Sequence, residues 1–241
     1  GGVRIPFSRA HSAYKNCSNQ DMMTATLAAL VGQHGIEGEV LGDVALGAVI
    51  KHSKNWNLAR ESVIGSGLSL KTPGVDMQRA CGTSIEAVLH IANKIALGQI
   101  QSGIGGGTDS ISDAPIVFND KLRSILLSTH RGRTLIDKIG PWKRFRPSYL
   151  APQLPAVVEP RTKLSMGESM EITAKEFKIS RENQDRLALS SHGKAATAYD
   201  AGFYKDLVIP FNGLSEDNNI RRDTTFERLQ LLKPTFDTKS G

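Results

Sequence analysis

Cys81 is the residue of this chain best placed for covalent chemistry. A short strand, predicted from Val75 to Ala80, leads into it, and a helix predicted from Thr83 to Leu97 follows almost at once. Cys81 therefore lies at a helix N-terminus, where unpaired N–H groups and the positive end of the helix dipole stabilise a thiolate. The small neighbour Gly82 leaves space for a substrate. An unpaired cysteine can also be a small buried hydrophobic residue, so the spacing alone leaves both interpretations open.

The other residues that could support catalysis are scattered. None of the six histidines lies in a glycine-rich turn where it could face Cys81 as a base. Glu86 and His90 share a helix face, but one such pair is more typical of a surface contact than of a metal site. Cys17 lies in a polar loop and is interpreted as incidental. The sequence thus predicts a cysteine nucleophile with no metal, no bound cofactor and no base of its own.

The run from Gly103 to Gly107 resembles a phosphate-binding loop only superficially. Such a loop has to be followed by a well-formed helix, and Pro115 intervenes here. A dinucleotide site is therefore not predicted.

Strands and helices alternate through the first half of the chain. Capping residues and apolar spacing predict helices from Asp21 to Gln33, from Asn57 to Gly65 and from Thr83 to Leu97, the last of them largely buried. The alternation typical of βα units predicts strands near Val3 to Ile5, Leu41 to Ile50, Val75 to Ala80 and Ser102 to Gly105. This order predicts an α/β fold with a mostly parallel sheet covered on both faces.

After Pro115 the character of the chain changes. Residues 119 to 139 are predicted to form two short basic helices, and five prolines then exclude long regular structure over the next twenty positions. We interpret that stretch as an extended arm. Further helices are predicted from Met166 to Phe177 and from Arg181 to Ala201, followed by a short strand from Leu207 to Phe211.

Composition excludes several classes of protein. The 241 residues are 39% hydrophobic and 22% charged, which argues against a disordered tail, a collagen-like repeat or a coiled coil. The longest uncharged stretch, Met22 to Ile36, has 15 residues and is too short for a membrane span. The two cysteines lie 64 positions apart, which favours a reducing compartment over a disulfide framework. Because Gly1 begins without Met on what reads as a strand end, we expect a chain trimmed in front.

Positive charge is concentrated in one segment. Residues 121 to 146 hold eight basic residues and one acid, a net charge of +7, whereas the whole chain carries +6. Such a segment is a candidate surface for phosphates, anionic lipid or an acidic partner. A solvated helical face is an equally good interpretation.

Several motifs, in order along the chain, resemble those of the thiolase family. They are Gly2-Val3-Arg4-Ile5-Pro6-Phe7, Asn57-Leu58-Ala59-Arg60, Gln78-Arg79-Ala80-Cys81-Gly82-Thr83-Ser84, Gly105-Gly106-Gly107-Thr108-Asp109-Ser110-Ile111-Ser112, Ser165-Met166-Gly167 and Leu232-Lys233-Pro234-Thr235-Phe236. Together they extend over essentially the whole chain and match the family's N-terminal half. The departures, Asp109 for the usual Glu and Ile111 for the usual Met, put the preferred acyl-chain length in question rather than the reaction.

Two segments narrow the resemblance. The arm from Phe145 to Pro155 and the segment Glu216-Asp217-Asn218-Asn219-Ile220-Arg221 resemble the thiolase subunit of fatty-acid β-oxidation complexes, including the trifunctional protein. This resemblance implies cleavage of 3-ketoacyl-CoA by CoA to acetyl-CoA and a shortened acyl-CoA, or the reverse condensation, as an acetyl-CoA C-acyltransferase. Coenzyme A and acyl-CoA would be substrates rather than bound cofactors.

The resemblance also implies roles for individual residues. Cys81 matches the acyl-thioester nucleophile, Arg221 a contact to the nucleotide end of CoA, and Met166, with Ser165 beside it, the substrate channel. The family's activating His, its second Cys and its Asn-Glu oxyanion element belong to a C-terminal half, which would explain the missing base. We therefore expect this chain alone to be inactive.

The thiolase resemblance further implies the domain organisation and the partners. Residues 1–118 would form the nucleophile-bearing half of the core, residues 119–233 an inserted, mainly helical loop domain, and residues 234–241 the start of the return to the core. A homodimer or tetramer, a hydratase-dehydrogenase partner subunit and a peripheral membrane contact are expected, without nucleic acid. The location would be the bacterial cytoplasm, or the matrix side of the mitochondrion in a eukaryote.

Two alternatives stay open at this stage. Another condensing enzyme of the same fold would also use a cysteine at this helix start. The chain could instead be a non-catalytic module that binds a partner or a membrane through its basic arm.

Overall fold

A computed structural model describes residues 1–239. The chain forms two compact units: one joins residues 1–113 to the residues from 158 onward, and the other comprises residues 114–157. The predicted division after residues 118 and 233 concerns functional domains and stays a prediction. The predicted return segment, 234–241, extends into Ser240 and Gly241, which lie outside the described residues.

The first unit is built on a three-stranded sheet. Strands β1 (Asp43–Gly47), β2 (Gly74–Met77) and β3 (Gly103–Gly107) lie in the order β2-β1-β3. All three are parallel, with Val44 opposite Gly74 on one side and Ile104 on the other. The α/β class is confirmed, and the described sheet is purely parallel because each strand is joined to the next through a helix.

The helices agree closely with the sequence pattern. They are α1 (Asn19–His34), α2 (Leu58–Gly65), α3 (Thr83–Ala96), α4 (Asp120–Arg131), α5 (Leu135–Ile139), α6 (Met166–Glu176), α7 (Arg181–Asp200) and α8 (Phe226–Gln230). Asp21 was predicted to begin α1, but Ser18 is the cap: its hydroxyl accepts from the Asp21 N–H at 3.1 Å, and the Asp21 carboxylate accepts from the Ser18 N–H at 2.9 Å. This reciprocal pair is a capping box, which places Asp21 inside the first turn. No helix of the described residues has the length and apolar character needed to cross a membrane.

Most of the predicted strands are shorter in the structure, but the one predicted from Ser102 to Gly105 extends to Gly107. The strand predicted from Val75 to Ala80 ends at Met77. The strand expected to extend to Ile50 ends at Gly47, because the Val49 and Ile50 N–H groups donate to the Asp109 carboxylate instead of to a neighbouring strand. The strands expected at Val3 to Ile5 and at Leu207 to Phe211 are reduced to one bridge between Arg4 and Val208. Prolines flank that bridge in both segments and have no N–H with which to extend it.

Helices α1 and α2 cover one face of the sheet. Val44 and Leu46 of β1 point into this side, where eleven buried residues form the main core. Ala45, between them, points to the other face and packs with Ala87 and Ile91 of α3. The prediction that α3 is largely buried is wrong. Ile85 and Leu89, on its solvent-facing side, are 70% and 51% exposed, and Val88 and Ile95, which face a cavity beside β3, are 50% and 42% exposed. No described element packs over the solvent-facing side, so only the residues facing the sheet are buried.

Glycines let α3 lie directly on β3. A Cβ atom added at Gly105 would lie 2.7 Å from the backbone N and Cα of Val88, and one added at Gly103 would lie 2.9 Å from the Ile91 side chain. The glycine run that resembled a phosphate loop is therefore a packing surface for the helix. This contact fixes the position of the α3 N-terminus relative to the sheet.

The second unit, residues 114–157, contains the two predicted basic helices, α4 and α5. Two short 3-10 helices follow, Gly140–Arg144 and Pro147–Leu150, and the absence of longer regular structure agrees with the proline content. The backbones of Val117 and Gln153 exchange two hydrogen bonds of 3.1 and 2.8 Å, which bring the ends of this segment together.

Candidate functional site

Cys81 is exposed and forms no disulfide, in a tight turn between β2 and α3. The Gly82 N–H donates to the Arg79 carbonyl at 2.9 Å, and the Thr83 N–H donates to the Ala80 carbonyl at 3.2 Å. Ala80 has φ +42°, a backbone conformation that alanine rarely adopts. Strain of this kind persists only where the surroundings enforce it, and it is found preferentially at functional sites. Because Cys81 is exposed, it is not the small buried hydrophobic residue that the spacing alone allowed.

Thr83 holds this turn in place. Its buried hydroxyl donates to the Ala80 carbonyl at 2.7 Å and accepts from the Arg79 N–H at 2.9 Å. Both bonds go to residues that precede the cysteine, so they tie the backbone before the thiol to the first residue of α3. Thr83 was not among the site residues predicted from the sequence. Its small polar side chain at the first position of a predicted helix was the available indication.

An ion pair bridges the cysteine turn. Arg79 Nη1 lies 2.6 Å from Glu86 Oε2, one turn into α3. The Arg79 side chain is mostly exposed, so the pair contributes little to stability. Its effect is local: it links the residue two positions before Cys81 to the helix that follows.

Asp109 joins the loops that surround the site. Its two carboxylate oxygens accept from the N–H groups of Val49 and Ile50, each at 2.8 Å, and the Thr108 N–H donates to the Gly47 carbonyl at 3.0 Å. The loops after β1 and β3 are therefore tied together at the carboxyl edge of the sheet. Cys81 follows β2 at the same edge, which is where open parallel sheets place their ligand sites.

A cavity of about 620 Å³ extends along the outer side of β3. It is bounded by the first eight residues of the chain, by α1, and by Ser84, Val88 and Ile95 of α3. The residues from Gly103 to Asp109 form its floor. Its lining is mostly apolar and includes Ser84, three positions after Cys81, but not Cys81 itself.

The motif segment from Glu216 to Arg221 is attached to the N-terminal residues. Arg4 donates two hydrogen bonds to the Asp217 carboxylate, at 2.7 and 2.8 Å, and the Phe7 N–H donates a third at 2.7 Å. Asn218 accepts from the Arg9 N–H at 2.7 Å. Burial alone would raise the pKa of Asp217, but these hydrogen bonds outweigh it and lower the pKa below the ordinary value. The motif thus includes a structural anchor.

Arg221 lies at the exposed end of that anchored segment. Its backbone N–H donates to His192 Nδ1 at 3.3 Å. Within residues 1–239 its guanidinium makes no hydrogen bond or ion pair, so the group is accessible to a ligand in solvent.

Ser165 is the N-cap of α6. Its hydroxyl accepts from the Glu168 N–H at 3.3 Å, and its own N–H and hydroxyl donate to the Glu168 carboxylate at 2.7 and 2.8 Å. The hydrogen bonds from Ser165 lower the pKa of Glu168. Met166 is 68% exposed at the first helical position. The Phe236 ring packs directly on Gly167, where any Cβ would overlap it, so two of the recognised motifs meet here.

The predicted site residues do not contact Cys81 through hydrogen bonds or ion pairs in the described part of the chain. Within residues 1–239, no hydrogen bond or ion pair joins Cys81 to Ser165, Met166 or Arg221. Two of the six histidines lie beside carboxylates away from the cysteine: His52 Nε2 is 3.0 Å from Asp113, and His90 Nε2 is 3.7 Å from Asp43. In the part of the chain that is described, no cluster of His, Cys, Asp and Glu could hold a metal ion.

Comparison with known proteins gives consistent results. The family model described as "Thiolase, N-terminal domain" matches residues 1–241. The 3-ketoacyl-CoA thiolases of Yersinia enterocolitica (serotype O:8 / biotype 1B) and of Yersinia pestis (strain Pestoides F) are each 37% identical to the chain over 246 residues. These alignments cover 100% of this chain but 56% of each relative, so the chain spans little more than half of their length.

A solved structure shows the same fold. The crystal structure of the Bacillus anthracis acetyl-CoA acetyltransferase superposes with a TM-score of 0.80 at 26% sequence identity. The match covers 98% of this chain and 58% of the acetyltransferase chain.

Proposed function

Because this chain belongs to the thiolase family and matches its N-terminal domain, we propose that it supplies the nucleophile of a 3-ketoacyl-CoA thiolase. The observation that carries the proposal is the exposed Cys81 thiol, in a strained turn at the start of α3 and at the carboxyl edge of a parallel sheet. The 37% identity to 3-ketoacyl-CoA thiolases supports the choice of substrate.

In the first half-reaction, the Cys81 thiolate attacks the 3-keto carbon of 3-ketoacyl-CoA. The bond between the second and third carbons of the acyl chain then breaks. Its electron pair goes to the second carbon, which takes up a proton and leaves as acetyl-CoA. The shortened acyl group stays on the Cys81 sulfur as a thioester.

In the second half-reaction, the thiol of a free CoA loses its proton and attacks the thioester carbonyl. The carbon–sulfur bond to Cys81 breaks, the shortened acyl-CoA leaves, and the Cys81 thiolate is restored. No external oxidant or reductant is needed. In the first half-reaction the third carbon rises from the oxidation level of a ketone to that of a thioester, and the second carbon is reduced by the same amount when it becomes a methyl carbon. The second half-reaction exchanges one thioester for another and changes no oxidation level.

The cysteine turn supports this chemistry in two ways. The dipole of α3 stabilises negative charge at its N-terminus, which favours the thiolate. In this proposal the Cys81 N–H, at the same helix start, donates to the oxyanion that forms during attack, an effect worth about 3 kcal/mol per donor.

Coenzyme A would bind along Ser165, Met166 and Arg221. Arg221 presents an unpaired guanidinium, a group suited to a phosphate or to stacking on adenine. Met166 offers an exposed apolar surface for the acyl chain or the pantetheine arm, and Ser165 would act by holding the α6 terminus in its capping box.

Within residues 1–239, the structure brings no base to Cys81. A base must take the proton from Cys81, and within residues 1–239 no histidine forms a hydrogen bond with it. We assign the base, the second cysteine and the remaining oxyanion donors to the second half of the enzyme. The exposed apolar side of α3 is a surface on which that half could pack. A homo-oligomer, a hydratase-dehydrogenase partner subunit, a peripheral membrane contact and a cytoplasmic or matrix location belong to the same proposal.

A chimeric enzyme tests the proposal directly. Joining this chain to the second half of the Yersinia enterocolitica relative restores the family's full length. With a 3-ketoacyl-CoA, mass spectrometry should locate the acyl group on Cys81. The Cys81→Ser chimera should lose acylation and turnover, whereas Cys17→Ser should retain both. Cys17 is the matched control because burial, and then the nearby Asp21 carboxylate, raise the pKa of its thiol.

Three results would contradict the assignment. They are an acyl group on Cys17, turnover by the Cys81→Ser chimera, or thiolysis by the 241-residue chain alone. Release of CO₂ from a malonyl thioester would instead indicate the decarboxylating type of condensing enzyme. A folded chimera that is never acylated would favour the non-catalytic binding module.

Arg221 is tested by the kinetics of the same chimera. Arg221→Ala should raise the Michaelis constant for CoA with little change in turnover at saturation, which is the pattern of lost uniform binding. Unchanged dependence on CoA would remove Arg221 from the binding site.

A further inference from the structure

The second unit contains a cavity of its own. It measures about 550 Å³ and lies between α4 and the two 3-10 helices, within residues 114–157. Lys121, Ser124 and Ser128 line it from α4, and Arg144 and Tyr149 line it from the 3-10 segments. The residues that could bind a ligand there therefore come from separate parts of the chain.

The two cations of this cavity have no acidic partner. In the described chain, neither the Lys121 ammonium nor the Arg144 guanidinium forms an ion pair or a side-chain hydrogen bond. Lys121 Nζ lies 5.5 Å from the centre of the Tyr149 ring, which restricts where the charge can lie. Asp120 also lines the cavity, but its carboxylate is 3.1 Å from Arg123 Nη2. Two positive charges around one cavity repel each other, and an anion between them would relieve that repulsion.

Hydroxyl groups add directional donors. Lys121, Ser124 and Ser128 are spaced three and four residues apart, so they share one face of α4. Neither serine side chain makes a hydrogen bond within residues 1–239. The combination of an ammonium, a guanidinium and two hydroxyls suits phosphate, because an arginine fork can bind two phosphate oxygens while lysine and serine bind the others.

The cavity wall also includes an apolar surface. Ile125 is 6% exposed and lines the cavity beside Tyr149, which itself contacts Phe145 at 6.4 Å between ring centres. An organic group attached to the phosphate could pack there, whereas a free inorganic anion would leave this wall unused. We propose that the cavity formed by Lys121, Ser124, Ser128, Arg144 and Tyr149 binds a phosphate monoester. The site stands independently of the thiolase reaction.

Titration calorimetry with sn-glycerol 3-phosphate on the full 241-residue chain tests this site. Lys121→Gln and Arg144→Gln should each weaken binding about tenfold, the loss expected for one charge-assisted hydrogen bond. Lys143→Gln and Arg131→Gln are matched controls, because each removes one charge from the same unit without touching the cavity, and both should bind as the parent chain does. Arg221→Ala should also bind normally, which separates this site from the proposed CoA contact. Circular dichroism establishes that each variant is folded.

A second arm identifies the source of the phosphate. Vesicles of phosphatidic acid in phosphatidylcholine present the same monoester on a lipid, and plain phosphatidylcholine vesicles serve as the control. Cavity-dependent binding of glycerol phosphate alone supports a soluble ligand, and cavity-dependent binding of the vesicles supports a lipid headgroup. The proposal is overturned if neither probe binds, or if Lys143→Gln weakens binding as much as Lys121→Gln, which would mean diffuse charge attraction.

Discussion

On one face of the three-stranded sheet, α1 and α2 pack on Val44 and Leu46 and complete a core of eleven buried residues. On the other face, α3 packs on Ala45, and the core there consists of Ala45 with Ala87 and Ile91. The same strands thus support a thick apolar layer on one side and a thin one on the other. We call the face with α1 and α2 the closed face, because its helices complete a buried core. We call the face with α3 the open face, because the outer side of α3 is exposed.

This difference between the two faces indicates that α3 has two packing surfaces, an inner one and an outer one. Its inner side fits β3 so closely that only glycine is accommodated at Gly105. Its outer side is also apolar, with Ile85 and Leu89 70% and 51% exposed. An apolar stripe of this kind is unusual on a solvent-facing helix and marks an interaction surface. Under the proposed function, the second half of the enzyme would cover it and bring the missing base towards Cys81.

The largest expected effect is the loss of a buried leucine on the closed face. Leu58, at the start of α2, is 1% exposed within the main core. Leu58→Ala should lower the free energy of unfolding by about 3 kcal/mol, because it removes apolar contacts and leaves a cavity. Urea unfolding followed by circular dichroism measures the change. A loss well under 1 kcal/mol would mean that the closed face is not the stable part of the unit.

The next effect concerns the contact between α3 and β3. In Gly105→Ala, the new methyl group would lie 2.7 Å from the Val88 backbone, so the helix must move away from the sheet. We expect a loss of about 2 kcal/mol, typical of overpacking. The rate at which iodoacetamide alkylates Cys81 should change as well, because the same helix holds the cysteine turn.

Gly106→Ala is the matched control for this contact. Its methyl group would lie 3.4 Å from the flexible end of the Leu46 side chain, which is ordinary contact. It should cost little stability and leave the alkylation rate of Cys81 unchanged. Equal losses of stability from the two substitutions would show that the close contact with α3 is not what makes Gly105→Ala unfavourable.

Much of this architecture could be predicted from the sequence, and the exceptions have identifiable causes. The sequence predicted the end of α3 to within one residue, at Leu97 instead of Ala96. Gly98 marked that end, and in the structure it adopts a left-handed conformation with φ +68°. Apolar spacing predicted that α3 is buried. Periodicity identifies an apolar face but does not identify what covers it.

The site was predictable to a different degree. The position of Cys81 between a strand and a helix followed from local pattern, and the structure has it there. The anchor between Arg4 and Asp217 spans more than two hundred positions, so no local pattern could indicate it. The clamp of Asp109 on Val49 and Ile50 is non-local in the same way. Sequence reasoning found the residue that could react and missed those that hold its surroundings.

The third effect concerns that anchor, which holds the N-terminal wall of the cavity beside β3. Asp217→Asn removes the charge that pairs with Arg4 and should cost about 1.5 kcal/mol at neutral pH. The pKa of Asp217 is lowered on folding, so its contribution is complete above the ordinary value of 3.8 and is lost as pH falls through the folded value. The stability difference between the parent and the variant should therefore shrink on acidification.

Asp223→Asn is the control for the anchor. Asp223 also pairs with an arginine, at 2.6 Å from Arg228, but its side chain is 81% exposed. Exposed pairs contribute little, so this variant should stay within about 0.5 kcal/mol of the parent chain. If the two variants lose equal stability, burial of Asp217 is not what makes its ion pair effective.

The smallest expected effect lies on the open face and separates the two faces most cleanly. Leu89→Ala makes the same chemical change as Leu58→Ala, on a helix that already favours alanine, but at a side chain that is 51% exposed. The substitution removes little buried apolar surface, so the free energy of unfolding should change by less than about 0.5 kcal/mol. In the chimeric enzyme the same substitution should cost several times more, because the second half would bury that leucine. A large loss in the 241-residue chain alone would mean that α3 already has its outer partner. An equally small loss in both proteins would place the second half elsewhere.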